Sequence, residues 1–209
     1  MCGRYQIEID DAVLREICED IARKQREQPE PKQLVIKFEG EVFPSDIVPV
    51  QTGDKTYEPM KWGFTGFDGK LLINARSETA LQKQTFRRAM LEQRCLIPAS
   101  WYYEWQRVGN RKIKHRLYPS DRSPLFFAGC YQMERGAVVP RFVILTQNAT
   151  MGAPNIAHIH DRMPVIVAPA YHEAWFSGHI NEFIGSVNEF SGFADGDDTL
   201  AGCLLYEAV

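Results

Sequence analysis

The sequence predicts an α+β fold: a mixed, largely antiparallel sheet or barrel-like core with peripheral helices. Two observations predict this class. Short runs rich in aromatic and β-branched residues dominate the chain after residue 94. These runs do not alternate regularly with helical segments, which argues against a doubly wound parallel sheet. The composition is that of an ordinary globular protein, with 44% hydrophobic and 24% charged residues, and it suits a single domain over residues 1–209.

The first half of the chain carries two helical patterns. The first begins after Asp10 and Asp11, which suit a helix N-terminus, and is expected to end before Gln28. Its apolar residues are Val13, Leu14, Ile17, Cys18 and Ile21. Strand-like runs follow at residues 34–38, 42–43, 47–50 and 58–64. The second pattern predicts a helix over residues 77–93, with Ser77 as its cap.

The second half is predicted to consist mainly of strands. The predicted strands are residues 95–97, 101–107, 112–118, 125–131, 142–146 and 164–168. Gly109-Asn110 is typical of a hairpin turn, and it separates the second of these strands from the third. A short helix over residues 170–176 and a last strand over residues 200–207 complete the predicted order.

Charge is distributed unevenly along the chain. The formal net charge is −3, which taken alone argues against a nucleic-acid-binding protein. However, all 24 Lys and Arg residues lie at or before Arg162, whereas seven of the 27 acidic residues follow it. The first 162 residues therefore keep a positive excess and can form a basic face. The acidic remainder is also consistent with ordinary solvated surface.

The cysteine pattern and the hydropathy predict a cytoplasmic protein. Five cysteines at wide spacings, without a CxxC pair, indicate neither a disulfide framework nor a zinc ribbon. Four of them lie in apolar runs and are expected to be buried free thiols, as in a reducing compartment. These four are Cys18, Cys95, Cys130 and Cys203. We expect no signal peptide and no membrane span, since no apolar stretch approaches about 20 residues.

Cys2 is the first candidate reactive residue. Its small side chain permits removal of Met1, after which one residue would carry both a free α-amine and a thiol. The amine has a pKa of about 7.7–8.0, so an appreciable fraction is neutral near neutral pH and can add to an aldehyde. The thiol can then close a five-membered thiazolidine ring. The alternative is that Cys2 is simply one of the small residues that can follow Met1.

Asn74 and Arg76 are candidates for binding an anion. They lie two residues apart at an expected passage from strand to helix, so both can face one anionic ligand. Backbone amides at the start of the helix would add to a phosphate site. The alternative is a helix-capping segment with a surface arginine.

Glu104 is a candidate proton shuttle because it is an acid among four aromatic residues. Strand alternation would place Glu104 on one face with Tyr102, opposite to its two nearest neighbours. A carboxyl group in such surroundings can have a raised pKa and transfer protons at neutral pH. The alternative is an exposed acid on a half-buried strand.

His158 and His160 lie two residues apart and would share one face of a strand. Two such histidines can bind a metal ion, but no carboxylate or thiolate with metal-site spacing accompanies them. We therefore expect no metal, and we favour a single catalytic or hydrogen-bonding histidine.

Trp62 and the predicted hairpin combine aromatic rings with positive charge. Trp62 follows Lys61, and five cations cluster on the hairpin. These cations are Arg107, Arg111, Lys112, Lys114 and Arg116. Rings and a basic track together are typical of proteins that hold single strands without reading their sequence. Taken alone, a core tryptophan and a solvated hairpin are the preferred interpretation.

These segments together resemble the SRAP family, the SOS-response-associated peptidase domain, whose members are also called abasic-site processing proteins. Each segment is weak evidence alone, but six in family order between residue 1 and about residue 168 are highly specific. The segments are Met1-Cys2-Gly3-Arg4-Tyr5, Lys61-Trp62-Gly63, Asn74-Ala75-Arg76-Ser77-Glu78-Thr79, Arg94-Cys95-Leu96-Ile97-Pro98, Tyr103-Glu104-Trp105 and Ile159-His160-Asp161-Arg162-Met163-Pro164. One departure is Trp101, in a segment where the family usually has a glycine.

The resemblance implies a single-domain barrel-like fold and covalent capture of abasic sites in single-stranded DNA, without a metal or organic cofactor. It implies that Cys2 supplies the amine and thiol of a thiazolidine and that Asn74 orients the reacting centre. Glu104 and His160 match an acid/base pair. The implied DNA contacts are phosphate-binding Arg4 and Arg76, base-stacking Trp62 and a site position at Thr146.

Three functions remain open on the sequence. The first is covalent capture of abasic sites by a monomer that acts in the cytoplasm and is nucleoid-associated when bound to DNA. The second is a cysteine peptidase or autopeptidase, with Cys2 as nucleophile, His160 as base and Glu104 as its orienting acid. The third is a module that binds single-stranded DNA without covalent chemistry, in which Cys2 is structural.

Overall fold

The computed structural model describes residues 2–9, 12–27, 34–53, 55–177 and 204–209. The helices of these residues are α1 (Ala12–Arg26), α2 (Gln84–Glu92), α3 (Ala149–Gly152) and α4 (His172–Ser177), with short 3-10 turns at Pro154–Ile156 and Pro169–Tyr171. The strands are β1 (Tyr5–Ile7), β2 (Gly40–Val42), β3 (Ile47–Gly53), β4 (Thr56–Trp62), β5 (Phe64–Thr65), β6 (Leu71–Leu72), β7 (Asn74–Arg76), β8 (Arg94–Ala99), β9 (Trp101–Val108), β10 (Arg111–Pro119), β11 (Leu125–Gln132), β12 (Arg141–Asn148), β13 (Arg162–Pro164) and β14 (Leu204–Ala208).

Two larger sheets form the core, and one of them closes on itself. Strands β11, β8, β3, β4 and β12 pair in that order, and β12 pairs again with β11, which makes a barrel. Strands β7 and β13 extend this sheet from β12. The second sheet has five antiparallel strands in the order β14-β10-β9-β1-β2. Between the described strands, pairing is antiparallel except where β12 meets β4 and β7, so the predicted α+β class with a largely antiparallel barrel-like core is confirmed.

The apolar residues form two clusters. One cluster lies between the barrel and the inner face of the five-stranded sheet, and it contains Tyr5, Trp62, Tyr102 and Phe127. The other lies under the helices and contains Leu14 and Ile17 of α1, Met90 of α2 and Trp175 of α4. The alternation of β8 serves both clusters, because Cys95 faces the first and Leu96 the second.

The predicted helices are confirmed with one change of boundary. The first is α1, whose buried residues are Leu14, Ile17, Cys18 and Ile21. The second begins at Gln84 rather than Ser77. Ser77 does not cap it, since Ser77 N donates to Thr146 O at 2.9 Å and the residue is buried against β12. Asp10, Asp11 and Cys203 lie outside the described residues, and the strand predicted over residues 200–207 is described only from Leu204, as β14.

Two predicted strands are wrong in extent. Residues 34–38 form only an isolated bridge, Ile36 to Ile47. The strand predicted over residues 164–168 is instead Arg162–Pro164. Val165 N then donates to Leu145 O of β12, whereas Val167 N donates to Phe126 O of β11. Because this segment bonds to two strands in turn, it forms a continuous ladder with neither.

Two glycines have conformations that their positions require. Gly109 has φ +60° in the tight turn between β9 and β10, which confirms the predicted hairpin. Gly63 has φ +108°, and a Cβ there would lie 2.6 Å from Leu71 Cδ1. Gly63 therefore lets the chain pass from the buried Trp62 into the β5–β6 hairpin that leads to Asn74. Among the described residues, no helix combines the length and the apolar character needed to span a membrane.

Candidate active site

Strands β1 and β9 bring Cys2 towards Glu104. The two strands are antiparallel, with Tyr5 opposite Tyr102, and Tyr103 N donates to Arg4 O at 3.0 Å. Cys2, just before β1, is completely buried in the cluster that contains Tyr102. Strand alternation puts Glu104 on the same inner face as Tyr102, as the sequence predicts, and leaves Glu104 only 3% exposed.

Asn74 connects this pair to the barrel. It begins β7, which pairs in parallel with β12, with Asn74 opposite Ile144. From there Asn74 Nδ2 donates to Cys2 O at 2.8 Å, a contact between residues 72 positions apart in the chain. Asn74 Oδ1 is also buried, and none of the described residues donates a hydrogen bond to it. Asn74 therefore holds the Cys2 backbone through Nδ2 and places a second polar atom, Oδ1, beside it as a hydrogen-bond acceptor.

Burial sets the pKa values of the two ionisable groups of the site, Glu104 and Cys2. Burial raises the pKa of Glu104 to about 7, because desolvation penalises the charged carboxylate. Burial also raises the pKa of the Cys2 thiol, and the negative charge of Glu104 raises it further. The two groups therefore interact, and near neutral pH Glu104 can either hold or release a proton.

His160 is oriented by the residues that follow it. Its Nδ1 accepts a hydrogen bond from Arg162 N at 3.0 Å and lies 2.9 Å from Asp161 Oδ1. Burial lowers the pKa of His160, which favours the neutral ring. An Nδ1 that accepts from Arg162 N cannot also donate to Asp161, so we place the proton of the neutral ring on Nε2. The ring can thus offer a donor on the side away from its own backbone.

The segment that carries His160 is anchored by a network around Arg162. The guanidinium of Arg162 binds both carboxylate oxygens of Glu78, at 2.5 and 2.9 Å, and donates to Thr146 O at 2.5 Å. Thr146 Oγ1 lies within 3.3 Å of the same guanidinium. Bidentate binding fixes the orientation of the arginine as well as its position. The network therefore ties β13, β12 and the turn after β7 together.

The sequence-predicted arginines lie at the edge of this assembly. Arg4 is half-exposed and binds Glu41 at 3.3 Å, and its guanidinium stands 4.5 Å from the ring centre of Phe43. It also lies 5.3 Å from the ring centre of Trp105. Arg76 is exposed at the end of β7. Both side chains can reach a phosphate in solvent.

Two other predicted DNA contacts lie in the interior. Trp62 has no exposed surface, stacks parallel to Phe142, and donates from Nε1 to Ile73 O at 2.9 Å. Its ring therefore has no face for a base in this structure, and it holds the chain just before Asn74 instead. Thr146 is likewise fully buried, and its contact is with Arg162. The structure therefore places both residues in the interior, and their predicted DNA contacts stay predictions.

Sequence reasoning missed Glu78, Arg162 and Trp105 as parts of the site. All three lie inside the quoted family segments, beside residues that were singled out. A carboxylate and an arginine 84 positions apart give no local signal that they pair. Within the described part of the chain, His, Cys, Asp and Glu residues form no group of three that could hold a metal ion.

Comparisons with known proteins show what the chain is similar to. A family model described as SOS response associated peptidase (SRAP) matches residues 1–189. The abasic site processing protein YedK of Escherichia coli is 30% identical over 188 residues, which cover 87% of this chain and 82% of that protein. YoaM of Bacillus subtilis, also named an abasic site processing protein, is 37% identical over 112 residues, covering 52% and 48%. A solved protein of Bordetella bronchiseptica has the same fold, with a TM-score of 0.72 at 22% identity over 100% of this chain and 99% of that one.

Proposed function

The chain belongs to the SOS response associated peptidase (SRAP) family, and from that premise we propose that it captures abasic sites in single-stranded DNA covalently. The relatives named above are abasic site processing proteins, which gives the class of lesion. In this proposal Met1 is removed, and Cys2 then supplies both an amine and a thiol. The product is a thiazolidine between Cys2 and the sugar of the lesion, which shields the site from strand breakage.

The chemistry needs proton transfers and no redox step. An abasic deoxyribose is mostly a closed hemiacetal, and proton transfer to its ring oxygen opens it to an aldehyde. The neutral amine of Cys2 adds to the aldehyde carbon, and loss of one water leaves an imine. The thiol sulfur then bonds to the same carbon, and its proton passes to the imine nitrogen. The carbon ends bonded to both nitrogen and sulfur.

The single observation that carries the proposal is the convergence of Cys2, Asn74 and Glu104 from three separate strands or strand ends. A carboxyl group with a pKa of about 7 can give a proton to the hemiacetal and take one back at the same pH. Asn74 holds the Cys2 carbonyl and leaves Oδ1 as an acceptor for an amine proton. We assign His160, with its proton at Nε2, as the second proton donor.

The cysteine peptidase alternative is less well supported. The attacking species of such an enzyme is the thiolate, and catalytic cysteines therefore have lowered pKa values. Burial and Glu104 instead raise the pKa of Cys2, so the thiolate is scarce at neutral pH. In covalent capture the amine attacks first, and the thiol keeps its proton until ring closure.

A denaturing gel separates the alternatives. Protein lacking Met1 is incubated with single-stranded DNA that carries one abasic site, and a stable shifted band is expected. Cys2→Ser keeps the amine but lacks the thiol, so it should give only an imine that survives after borohydride reduction. Cys18→Ser, a matched change in another buried cysteine, should crosslink normally.

Other outcomes favour the other functions. Peptide cleavage that depends on Cys2 and His160, without any crosslink, would establish the peptidase. Salt-sensitive binding to intact strands that is the same in Cys2→Ser, without any crosslink, would establish the binding module. Complete absence of a shifted band from protein proven to begin at Cys2 would overturn covalent capture.

A further inference from the structure

The hydroxyl group of Tyr102 is buried beside the reacting residues, and none of the described residues forms a hydrogen bond with it. The residue as a whole has no exposed surface. Buried polar groups of folded proteins are almost always hydrogen-bonded, because an unsatisfied one destabilises the fold. An exception next to a reactive cysteine therefore points to a partner that arrives with the substrate.

Strand geometry places Tyr102 on the same face as Glu104. The two residues lie two positions apart on β9, so both side chains point into the space between the five-stranded sheet and the barrel. Tyr102 lies opposite Tyr5 in the ladder with β1, and Cys2 just precedes that strand. Cys2 and Tyr102 belong to the same cluster of buried residues. The reactive cysteine, the proton shuttle and the tyrosine therefore share one buried space.

The ring of Tyr102 is fixed by an aromatic neighbour. It meets Phe127 of β11 edge-on, with the two ring centres 5.9 Å apart. The hydroxyl group is therefore held in place before a substrate arrives, and a preorganised contact loses little entropy on binding. Burial raises the pKa of Tyr102, and the neighbouring Glu104 and Cys2 groups raise it further. The hydroxyl group therefore keeps its proton and can donate a hydrogen bond at neutral pH.

Opening of the abasic sugar creates a hydroxyl group that the closed ring lacks. Glu104 gives a proton to the ring oxygen, the bond from this oxygen to C1′ breaks, and the oxygen stays on C4′ as a hydroxyl group. The former hemiacetal hydroxyl loses its proton as its oxygen becomes the aldehyde oxygen. Ring closure reverses this step and competes with attack by the Cys2 amine. A hydrogen-bond partner for the 4′-oxygen would disfavour closure.

We propose that the Tyr102 hydroxyl group donates a hydrogen bond to the 4′-oxygen that ring opening sets free, and thereby holds the open-chain sugar for the Cys2 amine. This rests on the function proposed above, since it deepens the same site. The contact is stronger in a buried site, because water competes less for either hydroxyl group. Tyr102 is thus a specificity-determining residue, since a strand without this hydroxyl group leaves the tyrosine unpaired.

The first test measures affinity without any crosslink. Fluorescent single strands carry either one borohydride-reduced abasic site or one three-carbon spacer. The reduced site is an open chain that keeps the 4′-hydroxyl group and has no aldehyde, whereas the spacer has the same backbone carbons without that group. In anisotropy titrations, Tyr102→Phe should bind the reduced site about five-fold more weakly than the parent protein and the spacer equally well.

Two controls separate the contact from a general effect on the fold. Tyr131→Phe removes the hydroxyl group of a partly buried ring that packs against the same cluster, and it should match the parent protein on both strands. Tyr102→Phe removes an unsatisfied buried group, so its free energy of unfolding in denaturant titrations should equal or exceed that of the parent. Weaker binding by a variant of such stability comes from the missing contact.

Crosslinking of intact abasic DNA separates this proposal from covalent capture. The parent should form the crosslink, and Tyr102→Phe should form it about five-fold more slowly at saturating DNA. If the parent crosslinks but Tyr102→Phe binds both strands as the parent does, the tyrosine contact is overturned and capture stands. Equal losses on the reduced site and the spacer also overturn the contact. If the parent fails to crosslink but Tyr102→Phe loses affinity for the reduced site alone, capture falls and the contact stands.

Discussion

The two faces of strands β9 and β10 have opposite surroundings although their residues alternate along the same chain. The inner residues at the end of the hairpin near Cys2 include Tyr102, Glu104, His115 and Leu117, and none of these four is more than 6% exposed. The outer residues include Trp101, Trp105, Lys114 and Arg116, which keep part of their surface in solvent. One hairpin therefore presents a buried face to Cys2 and a positively charged, partly exposed face to solvent.

The difference between the faces shows what burial does to a carboxyl group. On the inner face, desolvation raises the pKa of Glu104 to about 7 and makes it suitable for proton transfer. On the outer face, Glu41 lies between Lys114 and Arg4 and binds both. The same side-chain type therefore serves chemistry on one side and charge balance on the other. Isosteric substitutions on each face test this contrast.

The largest effect is expected from Glu104→Gln. Because glutamine cannot transfer a proton, the crosslinking rate at saturating DNA should fall about 10²- to 10³-fold. The affinity for intact single strands should remain that of the parent, since the residue does not reach solvent. Rapid-quench crosslinking and anisotropy measure the two quantities. A large loss of affinity with a normal rate would contradict the assignment.

The same substitution should change the pH dependence of stability. The pKa of Glu104 is about 7 in the folded protein, whereas an ordinary, solvated glutamate has a pKa of 4.5. Between these two pH values the folded protein keeps the Glu104 proton, whereas the unfolded chain loses it. The protonated carboxyl therefore contributes its full stability below pH 4.5, and this contribution is lost as the pH rises towards 7.

At a pH of about 8, Glu104→Gln should raise the free energy of unfolding by an amount on the order of 3 kcal/mol. Denaturant titrations of both proteins across this pH range measure the difference. The gain should shrink towards zero in acid. A difference that is constant across the range would mean that the glutamine acts through packing rather than through charge.

Arg76→Ala should affect binding and leave the chemistry intact. Arg76 is exposed at the end of β7, so it is expected to contact one phosphate. Its loss should lower the salt slope by about 0.7 and weaken affinity about four-fold near physiological salt. Anisotropy at several salt concentrations measures both effects. If the salt slope were unchanged and the crosslinking rate reduced, Arg76 would take part in the chemistry and not in phosphate binding.

The smallest effect is expected from Glu41→Gln on the outer face. Removing this carboxylate leaves Arg4 and Lys114 without their shared counter-charge, so affinity for intact single strands should rise roughly two-fold. The crosslinking rate at saturation should stay unchanged, in contrast to Glu104→Gln. Parallel anisotropy of the two glutamine variants makes the comparison. Weaker binding by Glu41→Gln would contradict the assignment of Arg4 as a phosphate contact.

Much of the fold was predictable because its signals are local. The period of Leu14, Ile17 and Ile21 predicts α1, and Gly109-Asn110 predicts the β9–β10 hairpin. The alternation of β9 also predicts that Glu104 and Tyr102 share a face. The helix boundary at Gln84 was missed because Ser77 bonds to β12, a partner 69 positions later in the chain.

The site was predictable in part for the same reason. Cys2, Asn74, Glu104 and His160 were singled out as residues with suitable chemistry. Their roles, the single domain over residues 1–209 and the monomeric state stay predictions. A core position for Trp62 is the preferred interpretation of its segment taken alone, and the structure agrees with it. The burial of Thr146 was not foreseen, because a motif gives the residue type at a position and not its exposure.

Side-chain types and short-range backbone geometry were enough to predict the family and the fold class, because both leave local signals in the chain. Tertiary packing settled which groups meet: Asn74 with Cys2, and Arg162 with Glu78. It also settled that Glu104 is buried and that the cations of the outer face are exposed to solvent. The physical reason is that burial and pKa depend on the elements packed against a residue, and barrel closure brings those elements from distant parts of the chain.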